Sequence, residues 1–271
     1  MTRDKFMLCM DEKASFAKNI ISKTKFQFKF KEKEILRKNR DLIINNGSDS
    51  CFILGNGPSL LKIDMNLLND YTTFTVNYFH KGQSSLESTY HVMIDPVYLN
   101  KEFQYVKHIV KKHKNTKFIL PIELYKSEHF QELENFENRI YFVKADLKTY
   151  SDYISFDMKK QMTVSVNIVP FVIQCALYMG FKRIYLLGYE FSLYSNVAIG
   201  HFYKSANEIP EPSDSAENLV RGALVQRHNW AIAQYCKKNG IVIKNLTEGS
   251  YISAYPRDSF ENIVEFLRGN R

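Results

Sequence analysis

Apolar residues along the chain fall into short continuous runs separated by segments with helical spacing, not into strict alternation. Runs at 52–54, 72–76, 90–94, 117–120, 139–143, 183–187 and 241–245 have strand length and end in turn residues. Between them the spacing predicts helices over 59–68, 97–112, 122–135, 164–179, 216–239 and 257–267, with Gly180 and Gly240 as C-caps. Strands that are apolar throughout and alternate with helices belong to a parallel sheet covered on both faces. The predicted class is α/β, with ligands expected beyond the carboxyl ends of the strands. Those ends carry Gly55, Asn56, Gly57, Pro58 and Ser59, then Asn77, then Asp95, then Gly188, Tyr189 and Glu190.

Residues 11–45 read as helical, with an extended break near Phe26, Phe28 and Phe30, and the cluster Asn45-Asn46-Gly47-Ser48 marks a boundary. The expected organisation is a basic helical appendage over 1–48 and one working domain over 49–271, with a lid loop at about 192–217. Charge sharpens this division. The 271-residue chain carries +8, and residues 1–50 hold 12 Lys/Arg against 7 Asp/Glu, so +5 of the excess sits there. Such a segment suits an anionic membrane surface, nucleic acid or an acidic glycolipid, and the bland reading is a solvated or oligomerising arm.

No apolar run reaches membrane-spanning length, and the first residues lack the apolar core of a secretory signal. Cys51, Cys175 and Cys236 sit in apolar patterns with no CxxC pair, as buried thiols do in a reducing cytoplasm.

The stretch Gly55-Asn56-Gly57-Pro58-Ser59 predicts a strand–turn–helix whose free amides and helix dipole seat an anion. It lacks the P-loop ending and the third glycine of a dinucleotide fingerprint. Asn77 and Asp95 end strands where side chains can read a base or ribose, or merely cap turns. Glu190, Ser192, Tyr194, His201 and Tyr203 gather in the loop after 187; tyrosines can hold a leaving phosphate and a histidine can deprotonate a hydroxyl. His228 is the second candidate base, against a buried structural role, and Trp230 reads as core. The chain has no Asp-x-Asp pair and no His-x-x-x-His, so no metal site is expected.

The run Ile53-Leu54-Gly55-Asn56-Gly57-Pro58-Ser59-Leu60 resembles the nucleotide-binding opening of small bacterial sialyltransferases of lipooligosaccharide synthesis. Asn77 matches a strand-end asparagine of that family, Asp95-Pro96 falls where the family has Asn-Pro, and 178–191 resembles its later helix–strand–acid segment. Uncharacterised surface-polysaccharide proteins with the Gly-x-Gly-Pro-Ser-Leu motif are similar to the same degree. The resemblance implies a Rossmann-like domain, a CMP-linked nonulosonic (sialic-acid-like) donor, inversion at the anomeric carbon and no metal. Asn56, Gly57, Pro58 and Ser59 would hold the phosphate and ribose, and Asn77 and Asp95 would contact the nucleotide. The family's tyrosines map near Ser192, with Tyr194 beside it, and to Tyr203. Its catalytic histidine falls near Ala223, leaving His201 or His228 to act. The expected partners are a nucleotide-sugar donor and a glycan or glycolipid acceptor, with no nucleic acid. The expected place is cytoplasmic, at the inner face of the cell membrane, in lipopolysaccharide or capsule synthesis. The rival readings are a different nucleotide-sugar donor, a pyrophosphokinase-like enzyme, and a basic nucleic-acid- or lipid-binding module.

Overall fold

A computed structural model describes residues 3–44, 48–82, 85–191 and 215–269. Among them eight strands form one sheet, every neighbouring pair parallel. They are β1 (Ser50–Leu54), β2 (Thr72–Val76), β3 (Tyr90–Val92), β4 (Lys117–Pro121), β5 (Ile140–Lys148), β6 (Gln161–Val164), β7 (Arg183–Leu187) and β8 (Val242–Asn245). Their order, β6-β5-β4-β3-β2-β1-β7-β8, is Rossmann-like. The chain steps outward from β1 to β6, then crosses back to lay β7 on the other side of β1. The connections therefore leave β1 in opposite directions. Such a reversal opens a crevice at the carboxyl ends of the strands, here between β1 and β7.

The helices are α1 (Arg3–Gln27), α2 (Phe30–Arg37), α3 (Phe103–Lys112), α4 (Ile122–Tyr125), α5 (Ile168–Met179), α6 (Ser215–Lys238) and α7 (Phe260–Gly269). Cys51 and Ile53 of β1 point into a cluster with Val172, Cys175 and Ala176 of α5 and Ile232 of α6. Phe52 and Leu54 point the other way, toward Phe260, Ile263 and Val264 of α7. Both faces of the strand are thus buried, which is why it is apolar at every position. Cys51, Cys175 and Cys236 are buried free thiols.

Several sequence expectations change. The predicted helix 59–68 is two short 3-10 turns, Pro58–Lys62 and Met65–Leu68. Asp64 accepts from Asn66 N and restarts the second turn. The predicted helix 164–179 overlaps the end of the edge strand β6; Val164 belongs to it, and Asn167 caps α5 through Val169 N at 2.9 Å. Only Val164 of β6 falls in the expected helix; the other three residues, Gln161, Met162 and Thr163, are too few and too mixed to show a strand pattern. The expected 97–112 and 122–135 helices begin or end as 3-10 turns. The N-terminal segment lies on the sheet: Asn19 exchanges two 2.8 Å hydrogen bonds with the backbone of Lys148, and Leu36 is fully buried.

Between β2, β3 and α3 three histidine rings gather. His80 stacks on His113 at 3.9 Å and tilts against His91 at 4.7 Å. Burial pushes His80 down to about 2, with repulsion from His91 and His113 adding to it, and pushes His91 down to about 3. Both are therefore neutral in the fold, whereas the unfolded chain protonates them below about pH 6.5. The stability they contribute is complete above about pH 6.5. It is lost as pH falls toward their folded values, by about 1.4 kcal/mol per pH unit for each histidine. Urea titrations at a pH of about 7, 6 and 5 should show that decline. His80→Gln should lessen its slope by about one histidine's share; an unchanged slope would contradict the assignment.

Candidate active site

The turn after β1 and the turn after β7 lie side by side in backbone contact. Gly55 N donates to Leu187 O at 2.8 Å, and Gly57 N donates to Gly188 O at 2.9 Å, so the parallel ladder continues past the strand ends. A Cβ on Gly55 would sit 2.3 Å from Gly188 O, and one on Gly188 would sit 2.6 Å from Leu60 Cγ. Gly188 also takes φ +62, open to glycine at little cost.

Glu190 crosses this junction. Its Oε1 accepts from Ser59 N at 2.6 Å, and its carboxylate fills the space a side chain on Gly57 would need. The expected anion seat is therefore occupied by the chain's own carboxylate. The amides of Gly55, Gly57 and Ser59 all have partners, and the five-residue 3-10 turn supplies no helix macrodipole. Glu190 is held from behind. Its carbonyl accepts from Tyr251 N, and the preceding Tyr189 is fixed by Thr247 Oγ1, Ser250 Oγ and Asn229 Nδ2. Asn229 also accepts from Tyr255 OH at 2.8 Å. Phe191 follows at φ +54, a conformation costing a bulky residue about 1–3 kcal/mol and typical of functional sites.

Asn56, next in sequence to Gly57, ties the β1 end to the β2 end through Nδ2 to Val76 O at 3.2 Å. Asn77 takes φ +49, which asparagine tolerates better than most residues. Its carbonyl accepts from His91 Nε2 at 3.0 Å and Tyr105 OH at 3.3 Å. A carbonyl only accepts, so His91 carries its proton on Nε2, and its Nδ1 accepts from Thr75 Oγ1 at 2.8 Å. Asn56 Oδ1, Asn77 Oδ1 and Glu190 Oε2 are buried with no hydrogen-bond partner. Three unmet acceptors thus stand at the ends of β1, β2 and β7, the adjacent central strands. Buried polar atoms without a partner occur elsewhere among the described residues, but these three are acceptors set together at the ends of the central strands, where a ligand's donors could meet them.

Other predicted residues lie elsewhere or do other work. Asp95 is exposed beyond the end of β3, and its Oδ1 caps the Pro96–Leu99 turn through Val97 N at 3.0 Å. His228 is fully buried, with Nε2 against Gln174 Nε2 at 3.0 Å and Nδ1 against Ser165 Oγ at 3.1 Å; burial lowers it to about 4. With both nitrogens engaged it serves as a structural histidine. Trp230 is half-exposed, because the face of α6 it occupies turns away from the sheet. Ser192, Tyr194, His201 and Tyr203 lie outside the described residues.

A cavity of about 770 Å³ opens on the far side of the β1 turn, lined by Ser59, Lys62, Thr247, Ser250, Arg257 and Asp258 among others. Its polar groups satisfy one another: Arg257 donates to Thr247 O, Ser250 O and Ile252 O, and Asp258 is held by Lys244 and Asn262. The unmet acceptors are not among the residues lining it. Asn229, Thr247, Ser250 and Tyr255 support the site without any motif to announce them. Among the described residues no group of three His, Cys, Asp or Glu is placed to hold a metal.

No family model matches the chain, and no curated protein matches it. Among solved structures it is similar to the sialyltransferase CstII from Campylobacter jejuni in complex with the substrate analogue CMP-3FNeuAc. That match has 15% identity, covers 77% of this chain and 85% of the other, and has a TM-score of 0.47. The same enzyme with trisaccharide acceptor and CMP matches at 15% identity, 77% and 85% coverage and a TM-score of 0.47. The MAf glycosyltransferase from Magnetospirillum magneticum AMB-1 matches at 13% identity, with 84% of this chain, 38% of the other and a TM-score of 0.49.

The glycine junction gives a double-mutant test. A methyl on Gly57 would lie 1.4 Å from Glu190 Oε2, whereas on Gly55 it meets backbone. Gly57→Ala should cost about 1–3 kcal/mol in urea unfolding, largely recovered in the double variant with Glu190→Ala. Gly55→Ala should show no such recovery. Equal behaviour of the two glycines would refute the packing order.

Proposed function

We propose that this protein is a glycosyltransferase whose donor is a CMP-linked nonulosonic sugar and whose acceptor is a surface glycan in lipopolysaccharide or capsule synthesis. The observation that carries the reading is the trio of unmet acceptors, Asn56 Oδ1, Asn77 Oδ1 and Glu190 Oε2, at the β1–β7 reversal. Ribose and sugar hydroxyls and the cytosine amino group are donors and complement this trio. A phosphate only accepts at neutral pH, and beside the Glu190 carboxylate it would be repelled. Asn56, Asn77 and Glu190 accordingly take the nucleoside and sugar hydroxyls. Gly55, Gly57, Pro58 and Ser59 shape the turn that brings them together, and Asp95 lies at the rim. The leaving phosphate falls to Ser192, Tyr194 and Tyr203, whose hydroxyls donate to it.

In this reading the reaction is a single displacement with inversion. The acceptor oxygen bonds to the anomeric carbon as the bond to the CMP oxygen breaks, and His201 takes the acceptor hydroxyl's proton. CMP leaves as the monophosphate, with its charge met by hydroxyl donors and without a metal ion. In this reading His201 rather than His228 is the base, a choice supported by the burial of His228 and the hydrogen bonds at both of its ring nitrogens.

Calorimetry with CMP, UDP and GDP, with and without magnesium, tests the donor class. CMP should bind without magnesium, and Asn77→Ala and Glu190→Gln should each weaken it about tenfold, the worth of one buried hydrogen bond. Tight magnesium-dependent binding of UDP or GDP with CMP inert would sink the reading. Turnover should fall about 100-fold or more in His201→Ala, as for a lost general base, and wild-type turnover there would remove His201.

A further inference from the structure

We infer that α1 and the start of α2 form a docking surface for an anionic lipid bilayer. Helix α1 carries two stripes. Asn19, Ser22 and Phe26 face the sheet, through Lys148, Asp146 and the cluster around Phe142. On the outward side Ile20 and Ile21 are about half exposed, Phe16 is half exposed at the flank with its ring against Tyr150, and Phe28 and Phe30, at the corner into α2, are 74% and 75% exposed. A water-facing helix gains nothing by presenting such residues, and exposed apolar clusters of this kind mark interaction surfaces.

Charge selects the occupant. Lys13, Lys18, Lys25, Lys29 and Lys31 are exposed around the apolar stripe. Of the nearby acids Glu32 is buried and paired with Lys29 and Lys126 at 3.1 Å and Glu12 is half-buried, which leaves Glu34 exposed against these five lysines. Large apolar side chains fringed by lysines are the pattern of a helix lying in the plane of an anionic membrane interface. A second copy of the chain would bring the same lysines together and repel. Duplex nucleic acid would use the lysines and leave Phe28 and Phe30 in water, and Ile20 and Ile21 offer the bases of a single strand no stacking face.

The orientation agrees. Position 19 meets the end of β5 and position 22 meets residue 146, so α1 runs antiparallel to β5. The turns of α1 before Asn19 therefore extend past the carboxyl ends of the strands, the edge at which the three unmet acceptors stand. A bilayer against this arm would present lipid-linked substrates on the side where the crevice opens. No helix of the described residues is long and apolar enough to cross a membrane, so the contact is with the surface.

The test is flotation of the full chain with phosphatidylcholine vesicles containing about 30% phosphatidylglycerol, against pure phosphatidylcholine. Binding is expected to the anionic vesicles alone, and to weaken at least tenfold when salt rises from about 0.1 to about 0.5 M. Phe28→Ser/Phe30→Ser should lose about tenfold while keeping the wild-type circular dichroism, since both rings stand in solvent. Lys13→Glu/Lys18→Glu/Lys25→Glu should lose as much by the electrostatic route. Absence of flotation would overturn the inference, as would flotation that the phenylalanine pair leaves unchanged. So would a light-scattering mass that halves in the phenylalanine variant, which would assign the surface to a second copy, or retention of single-stranded RNA by a chain that ignores vesicles.

Discussion

The site depends on two backbone turns lying in contact, the one after β1 and the one after β7. Their hydrogen bonds, from Gly55 N to Leu187 O and from Gly57 N to Gly188 O, carry the parallel ladder past its last paired residues. Any side chain on Gly55 would push Gly188 away, and with it the carboxylate that Glu190 lays across Gly57. The glycines therefore act through close approach of two strands, not through freedom of φ at the first turn. That contact exists because the sheet reverses its direction of growth at β1, which puts strands distant in sequence edge to edge. Topology creates the neighbours, and the missing side chains let them touch.

What the junction presents to a ligand differs from what its sequence suggests. A glycine-rich turn leading to a helix offers donors; here the donors are consumed internally and what faces inward is acceptors. The change follows from Glu190. Once a buried carboxylate takes the Ser59 amide, a second anion there would meet a like charge in a poorly solvated pocket, which is unfavourable by several kcal/mol where both remain ionised. Neutral hydroxyl and amino groups have no such conflict. What the turn presents is therefore set by one residue 131 positions downstream of the amide it takes.

The sheet was legible because burial on both faces leaves a continuous apolar run, and β2 and β7 match the expected limits residue for residue. The ends of β1, β2 and β7 were equally legible, since Gly55, Asn77 and Gly188 interrupt those runs, whereas β5 runs on to Lys148 past the expected 143 and β6 had no apolar run to mark it. Helix type was not. Residues 59–68 have helical spacing, but Asp64 caps a fresh turn in the middle, and local side-chain hydrogen bonds of that kind compete with a continuous helix. Nor was the function of His228 legible. Its apolar neighbours are consistent with either role, and only the partners Gln174 and Ser165, brought in from α5 and the end of β6, decide between them. The supporting residues Asn229, Thr247, Ser250 and Tyr255 gave no signal, because each is an ordinary polar residue made important by where the chain returns.

The histidine cluster and the site meet at Asn77. Its left-handed backbone is held by His91 Nε2 and Tyr105 OH on a single carbonyl, at the residue whose side-chain oxygen is buried without a partner. Protonating His91 would leave that Nε2–H in place, but it would turn Nδ1 from an acceptor into a donor facing Thr75. Thr75 Oγ1, 2.8 Å from Nδ1 and 2.7 Å from Ser88 Oγ, could then no longer donate to the ring and would keep its proton for Ser88. Burial that keeps His91 neutral thus does two things at once. It stabilises the fold at neutral pH, and it keeps the hydrogen-bond direction that fixes the strand end on which Asn77 sits. A substitution that relieved the burial of this stack would therefore loosen the geometry of the site before it altered any residue able to touch a ligand.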